Sequence, residues 1–122
     1  MKNSVLKDKS KAFAIRIVKL YKYLQGEKKE FVMSKQILRS GTSIGANIHE
    51  AYFGQSKKDF TSEMQIALKE ASETDYWLNI LSDTEFLDKS ESESIKNDCI
   101  ELVKMLNSTV KTAKGQIITN SE

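Results

Sequence analysis

Proline is absent from this 122-residue chain, and cysteine occurs once, at Cys99. Without proline no helix is interrupted by a missing N–H or by a ring against the preceding turn. One cysteine can form neither an internal disulfide nor a CxxC zinc clip, which fits a reducing, cytoplasmic setting. Glycine is scarce, at five residues. β-Branched runs bounded by Asn-Gly or Asp-Gly are missing, so a sheet has little support. No stretch approaches the roughly 20 apolar residues of a membrane span. The start, MKNSVLKDKSKAFAIRIVKL, lacks the apolar core of a secretory signal and runs into a longer amphipathic pattern.

Histidine also occurs once. His49-Glu50 cannot complete H-E-x-x-H because residue 53 is Phe, and no G-x-S-x-G elbow exists for a serine nucleophile. Glu70 and Glu73 could form an acid–base pair, but ion pairing suits them better. The expectation is therefore a protein that is not an enzyme and needs no metal or cofactor.

What is present is helix-forming. One domain is expected at this length, with four amphipathic segments at about 4–25, 30–53, 57–82 and 89–114 and a frayed tail at 115–122. Leu6, Phe13, Ile17, Leu20 and Leu24 form the apolar stripe of the first, with Gly26 as its left-handed stop. The second has Ile37, Gly41, Ile44, Ile48, Ala51 and Tyr52, and Gly54 ends it. The third starts at a Ser56 cap, with Asp59 near the positive helix end. It repeats Phe60, Met64, Ala67, Ala71, Thr74, Leu78 and Leu81 in steps of four and three. The fourth opens on a D-x-x-E box, Asp88 to Glu91, and carries Ile95, Cys99, Leu102, Leu106, Val110 and Ala113. Short links between such segments predict an all-α, up-down-up-down antiparallel four-helix bundle.

The stretch RSGTSIGANIHEAYFG, residues 39–54, holds three Gly inside or beside the second segment. A phosphate loop would need G-x-x-x-x-G-K-[ST] after a strand. Gly41 and Gly45 are too close together for that, and Ile37, Ile44 and Ile48 keep helical phase through them. A helical Gly costs about 0.5–1 kcal/mol relative to Ala, which close approach of a neighbouring backbone can offset. Gln36, Ser40, Ser43 and Asn47, with Arg39, Ala46 and Glu50 beside them, make a small polar stripe that reads as a docking surface.

The third helix carries a second run opposite its core seam: Ile66, Glu70, Glu73, Trp77 and Ile80. The first helix adds Ile15 among lysines. Two apolar faces per helix suit an oligomer rather than a lone chain. Arg39 is expected to pair with Glu70 or Glu73, across protomers or at their edge.

Charge is unevenly placed. Residues 1–40 carry 11 Lys and Arg against 3 Asp and Glu, while the remainder carries 8 against 14. That bias is a solvated helix surface, an anionic partner's footprint at one end, or self-association between opposite faces. Lys7, Lys11, Lys19 and Lys22 are expected to cluster on the outside of the first helix, with Lys28, Lys29 and Lys35 extending the patch.

SKQILRSGTSIGANIHEA followed by DFTSEMQIALKEASETDYWLNIL resembles the bacterial four-helix-bundle proteins encoded by intervening sequences of 23S rRNA genes. The resemblance spans about Lys11 to Lys114. Its centre, L-R-x-x-x-S-I-x-x-N-I-x-E-A, matches Leu38, Arg39, Ser43, Ile44, Asn47, Ile48, Glu50 and Ala51. K-E-A-S-E-T-x-Y-W-L matches Lys69 through Leu78. His49 departs from the small residue expected there. The resemblance implies a homopentameric barrel. It also implies kinship with the accessory variability determinant of diversity-generating retroelements, which partners a reverse transcriptase and is associated with nucleic-acid binding. No catalytic residue comes with the motif. The resulting expectation is a homo-oligomeric accessory module for RNA, DNA or a nucleic-acid enzyme, or else a protein adaptor that binds no nucleic acid.

Overall fold

The structure is a computed structural model. It describes residues 2–121, with side chains from 5 to 117. Four helices follow one another: α1 (Lys2–Gly26), α2 (Met33–Ala51), α3 (Lys57–Asp83) and α4 (Lys89–Ser121). No strand occurs among the described residues.

Cross-helix neighbours fix the directions. Gly41 lies against Ile17 and Gly45 against Ser10, so α1 and α2 run opposite ways. Ser40 meets Thr74 across α2 and α3, and the Cys99 thiol reaches the Ala71 carbonyl across α3 and α4. Arg16 meets Asp98, which closes the square between α1 and α4. Each helix is thus antiparallel to its chain neighbours, and α1–α4 is the loosest of the four packings. This is the up-down-up-down bundle that the short links imply.

The apolar stripes of α1 and α4 are buried as their spacing requires, from Leu6 to Leu24 and from Ile95 to Ala113. On α3 the seam shifts by one residue at its start. Thr61 is buried and Phe60 only half-buried, because Phe60 turns to meet Tyr52 edge-on at 5.4 Å. Tyr52 is likewise half-buried. Ser40 leaves its expected polar stripe and is wholly buried.

The helix ends differ from the reading of the glycines. No glycine among the described residues has positive φ, whereas Lys29 (φ 55°) and Glu85 (φ 65°) do. Gly26 therefore belongs to the last turn of α1, and the chain reverses at Lys29. After α3 the Phe86 N–H donates to the Leu81 carbonyl and the Glu85 N–H to that of Ser82. That is a Schellman stop with a glutamate in the left-handed position. α2 begins at Met33 instead of residue 30, because the Glu30 carboxylate accepts N–H bonds from Val32, Met33 and Ser34 and so caps the helix from outside. It ends at Ala51, ahead of Gly54.

Ser56 accepts the Asp59 N–H at 3.0 Å, and Asp88 that of Glu91 at 2.8 Å, as capping residues should. The return half of the Asp88 box is given up, since the Glu91 carboxylate takes Arg16 instead. α4 continues through Gly115 to Ser121, past the end expected near residue 114. One helical glycine without positive φ is too weak a breaker to stop it.

Candidate interaction surfaces

Antiparallel packing re-sorts the charge. The start of α1, the end of α2, the start of α3 and the end of α4 share one end of the bundle. It collects Lys7, Lys9 and Lys11 from α1, Lys57, Lys58 and Lys69 from α3, and Lys104, Lys111 and Lys114 from α4. These nine lysines face five carboxylates: Asp8, Glu50, Asp59, Glu63 and Glu101. Lys9 pairs with Glu101 at 2.7 Å. The other eight have no carboxylate within ion-pair distance among the described residues. The opposite end holds nine Lys and Arg against eleven Asp and Glu.

The lysines singled out from sequence therefore do not form one patch. Lys7 and Lys11 belong to the basic end, where they line a cleft against Thr42, Gly45 and His49 of α2. Lys7 also sits over the Tyr52 ring at 4.3 Å. Lys19 and Lys22 lie up to 15 residues further along α1, about 22 Å at 1.5 Å per residue. Lys28, Lys29 and Lys35 are at the acidic end, exposed, with Lys28 beside the Tyr23 ring. A linear count hides Lys57, Lys58, Lys69, Lys104, Lys111 and Lys114 among the acids of residues 41–122. The i, i+7, i+10 spacing of Lys104, Lys111 and Lys114, which keeps them on one helix face, was the available signal.

The face shared by α2 and α3 carries the Arg39 cluster. Arg39 donates to Glu70 at 3.0 Å and also to Glu73, while the Trp77 indole N–H donates to Glu73 at 3.0 Å. The indole first, and Arg39 next, hold the Glu73 carboxyl below its usual range. Glu73 in turn raises the Arg39 guanidinium. The pairing expected across or beside protomers is made within one chain, since α2 and α3 set the three residues side by side. Glu73, occupied twice over, is poorly placed as a general base.

The small polar stripe is satisfied locally. Thr42 donates to the Leu38 carbonyl, Ser43 to that of Arg39 and Asn47 to that of Ser43, each one turn back. Glu50 and His49 are exposed, with His49 tilted against Phe53 at 4.9 Å. Apolar and accessible on this face are Ile66, 42% exposed, and, three to four turns further along α3, the half-buried Trp77 and Ile80. Ile15, 50% exposed, lies on the opposite face, in an α1–α4 groove of about 610 Å³ with Leu20, Tyr23 and Leu87.

Among the described residues no three His, Cys, Asp or Glu gather as metal ligands, and no helix is long and apolar enough to cross a membrane. Cys99 is buried, and burial, then Asp75 and Asp98, push its thiol up to about 12.

The sequence matches the model of the 23S rRNA-intervening sequence protein family over residues 2–108. It is also similar to a crystal structure from Bacteroides thetaiotaomicron, described as a protein of unknown function from the S23 ribosomal protein family. The two are 60% identical, with a TM-score of 0.89 over 91% of this chain and 99% of that one. No curated protein matches the sequence.

Proposed function

This chain belongs to the 23S rRNA-intervening sequence protein family, and we propose that it is a non-enzymatic, ring-forming bundle that binds nucleic acid, RNA foremost. It would serve as an accessory to a nucleic-acid-processing protein such as a reverse transcriptase. The observation that carries the reading is the collection at one end of the bundle of eight lysines with no ion-pair partner among the described residues. Lysines that outnumber the carboxylates around them repel one another, and a phosphate backbone relieves that repulsion while releasing its condensed counterions.

Assembly supports the same reading. Ile66 and Ile15 occupy opposite faces, α2–α3 and α1–α4, so copies meeting through them make a heterologous contact. Such contacts close into rings when the rotation allows, and the family resemblance favours five copies. A ring repeats the lysine-rich end around one axis and multiplies weak phosphate contacts through avidity.

Native mass spectrometry with salt-titrated binding to a structured RNA tests both parts. A cyclic oligomer is expected, reduced to single chains by Ile66→Glu and equally by Ile15→Glu. Affinity for RNA should fall steeply between 50 and 200 mM salt, as it does for about six or more phosphate contacts. A single-chain mass at working concentration removes the ring. RNA binding that is weak and indifferent to salt removes the nucleic-acid role and leaves a protein adaptor.

A further inference from the structure

Beyond locating lysines at one end, the packing of α3 on α4 shapes a groove there. It has a volume of about 770 Å³ and is lined by Gln65, Leu68 and Lys69 of α3 and by Asn107, Ser108, Val110, Lys111 and Lys114 of α4. We propose that this groove, rather than the α1 lysines, seats the sugar-phosphate backbone of a nucleic acid. The proposal rests on the nucleic-acid reading above and narrows it to one surface.

Three features of the lining point to phosphates. It holds three lysines and no carboxylate. None of those lysines is within ion-pair distance of an acid among the described residues. The remaining polar groups, Gln65, Asn107 and Ser108, are exposed amide and hydroxyl donors, the side chains that join lysine in contacts to phosphate oxygens. The spacing also fits. Asn107, Lys111 and Lys114 follow one helix face at i, i+4, i+7, with Gln65 and Lys69 at i, i+4 on the facing helix, so cationic groups flank the groove from both sides. An acidic peptide would be drawn by the same charge but would not need the amides.

The groove also lacks two things. It has no arginine to read guanine edges and no aromatic ring to stack a base. Base stacking therefore adds nothing there, and the charge of the three lysines supplies a contact to the backbone that does not depend on sequence.

The test compares two triple variants in the full-length protein, Lys69→Gln/Lys111→Gln/Lys114→Gln and Lys7→Gln/Lys11→Gln/Lys19→Gln, using a labelled DNA duplex of mixed sequence in a salt titration. All six lysines are exposed, and circular dichroism checks the fold of each variant. The groove variant should lose about 2.7 from the slope of log affinity against log salt, three contacts at about 0.9 each, and the α1 variant little. An equal loss for a duplex of unrelated sequence is expected. If the groove variant keeps the wild-type slope while the α1 variant loses it, the groove is wrong and the nucleic-acid reading stands. If wild-type protein shows no salt-dependent duplex binding, the reading itself fails. Tight binding of polyglutamate but not duplex, abolished by the groove variant, overturns the proposal in favour of an acidic protein partner.

Discussion

Gly41 and Ile17 touch where α2 crosses α1: a Cβ on Gly41 would stand 2.8 Å from Ile17 Cγ1 and 2.9 Å from Cγ2. Ile17 is fully buried and branched at Cβ, so it has no flexible end to move aside. Gly45 is different, since its added Cβ would meet Ser10 at 3.4–3.5 Å, ordinary contact. Gly41→Ala gains about 0.5–1 kcal/mol of helix propensity but forces overpacking of about 1–3 kcal/mol. The net effect should be destabilising, whereas Gly45→Ala should stabilise by roughly 0.5–1 kcal/mol. Urea unfolding of the two variants decides it, and a stabilised Gly41→Ala would show that this contact is slack.

Glu85 holds the left-handed position after α3, which costs a non-glycine residue about 1–2 kcal/mol. Glycine there relieves the strain but gives the unfolded chain more freedom. Glu85→Gly should therefore raise stability by about 0.5–1 kcal/mol, read as a higher melting temperature. Glu85→Ala, which keeps a Cβ, should give no such gain.

Ser40 and Thr74 share a hydrogen bond of 2.9 Å in a fully buried position, and Thr74 Oγ1 also lies 2.8 Å from the Glu70 carbonyl. Thr74→Val strands the Ser40 hydroxyl away from water and should cost about 1–3 kcal/mol. Removing both hydroxyls, Ser40→Ala with Thr74→Val, should recover most of that loss. A double-mutant cycle with additive costs would mean that the pair is not coupled.

Burial pushes the Glu30 carboxyl up, but N–H bonds from Ser34, Met33 and Val32 outweigh it and leave it below 4.5. A depressed carboxyl binds fewer protons folded than unfolded, so its contribution is complete above the unfolded value. It drains away as pH falls through the folded one. Acid unfolding of Glu30→Gln should consequently be flatter below pH 4.5. Near neutral pH the variant should be weaker by about 1 kcal/mol, the scale of a lost cap. An unchanged acid limb would exclude Glu30 as a contributor.

Cys99 should resist thiol reagents at pH 8, because its thiol is buried and titrates only near 12. Labelling should proceed at the rate of global opening and accelerate with urea. Rapid labelling of folded protein would place Cys99 in a mobile part of α4.

Helix count, order and most of the core were legible from sequence, because residues 3.6 apart share a face whatever they pack against. Leu6 to Leu24 and Ile95 to Ala113 are buried as their spacing requires. Of the α2 glycines read as packing residues, Gly41 has no room for a Cβ against the Ile17 side chain, whereas Gly45 has that room beside Ser10. Helix ends were less legible. Lys29, Glu85 and Glu30 show that a backbone turn or a carboxylate from outside the helix can do what glycine was expected to do.

The surfaces needed the tertiary structure. Sequence alone fixed that Arg39, Glu70 and Glu73 are complementary, but only the α2–α3 crossing brings them together inside one chain. The lysines of α1 and those of α4 are nearly a hundred residues apart, and no linear window joins them. Antiparallel folding does, since it carries the start of one helix to the end of another and turns a mixed charge sequence into a bundle with one basic end.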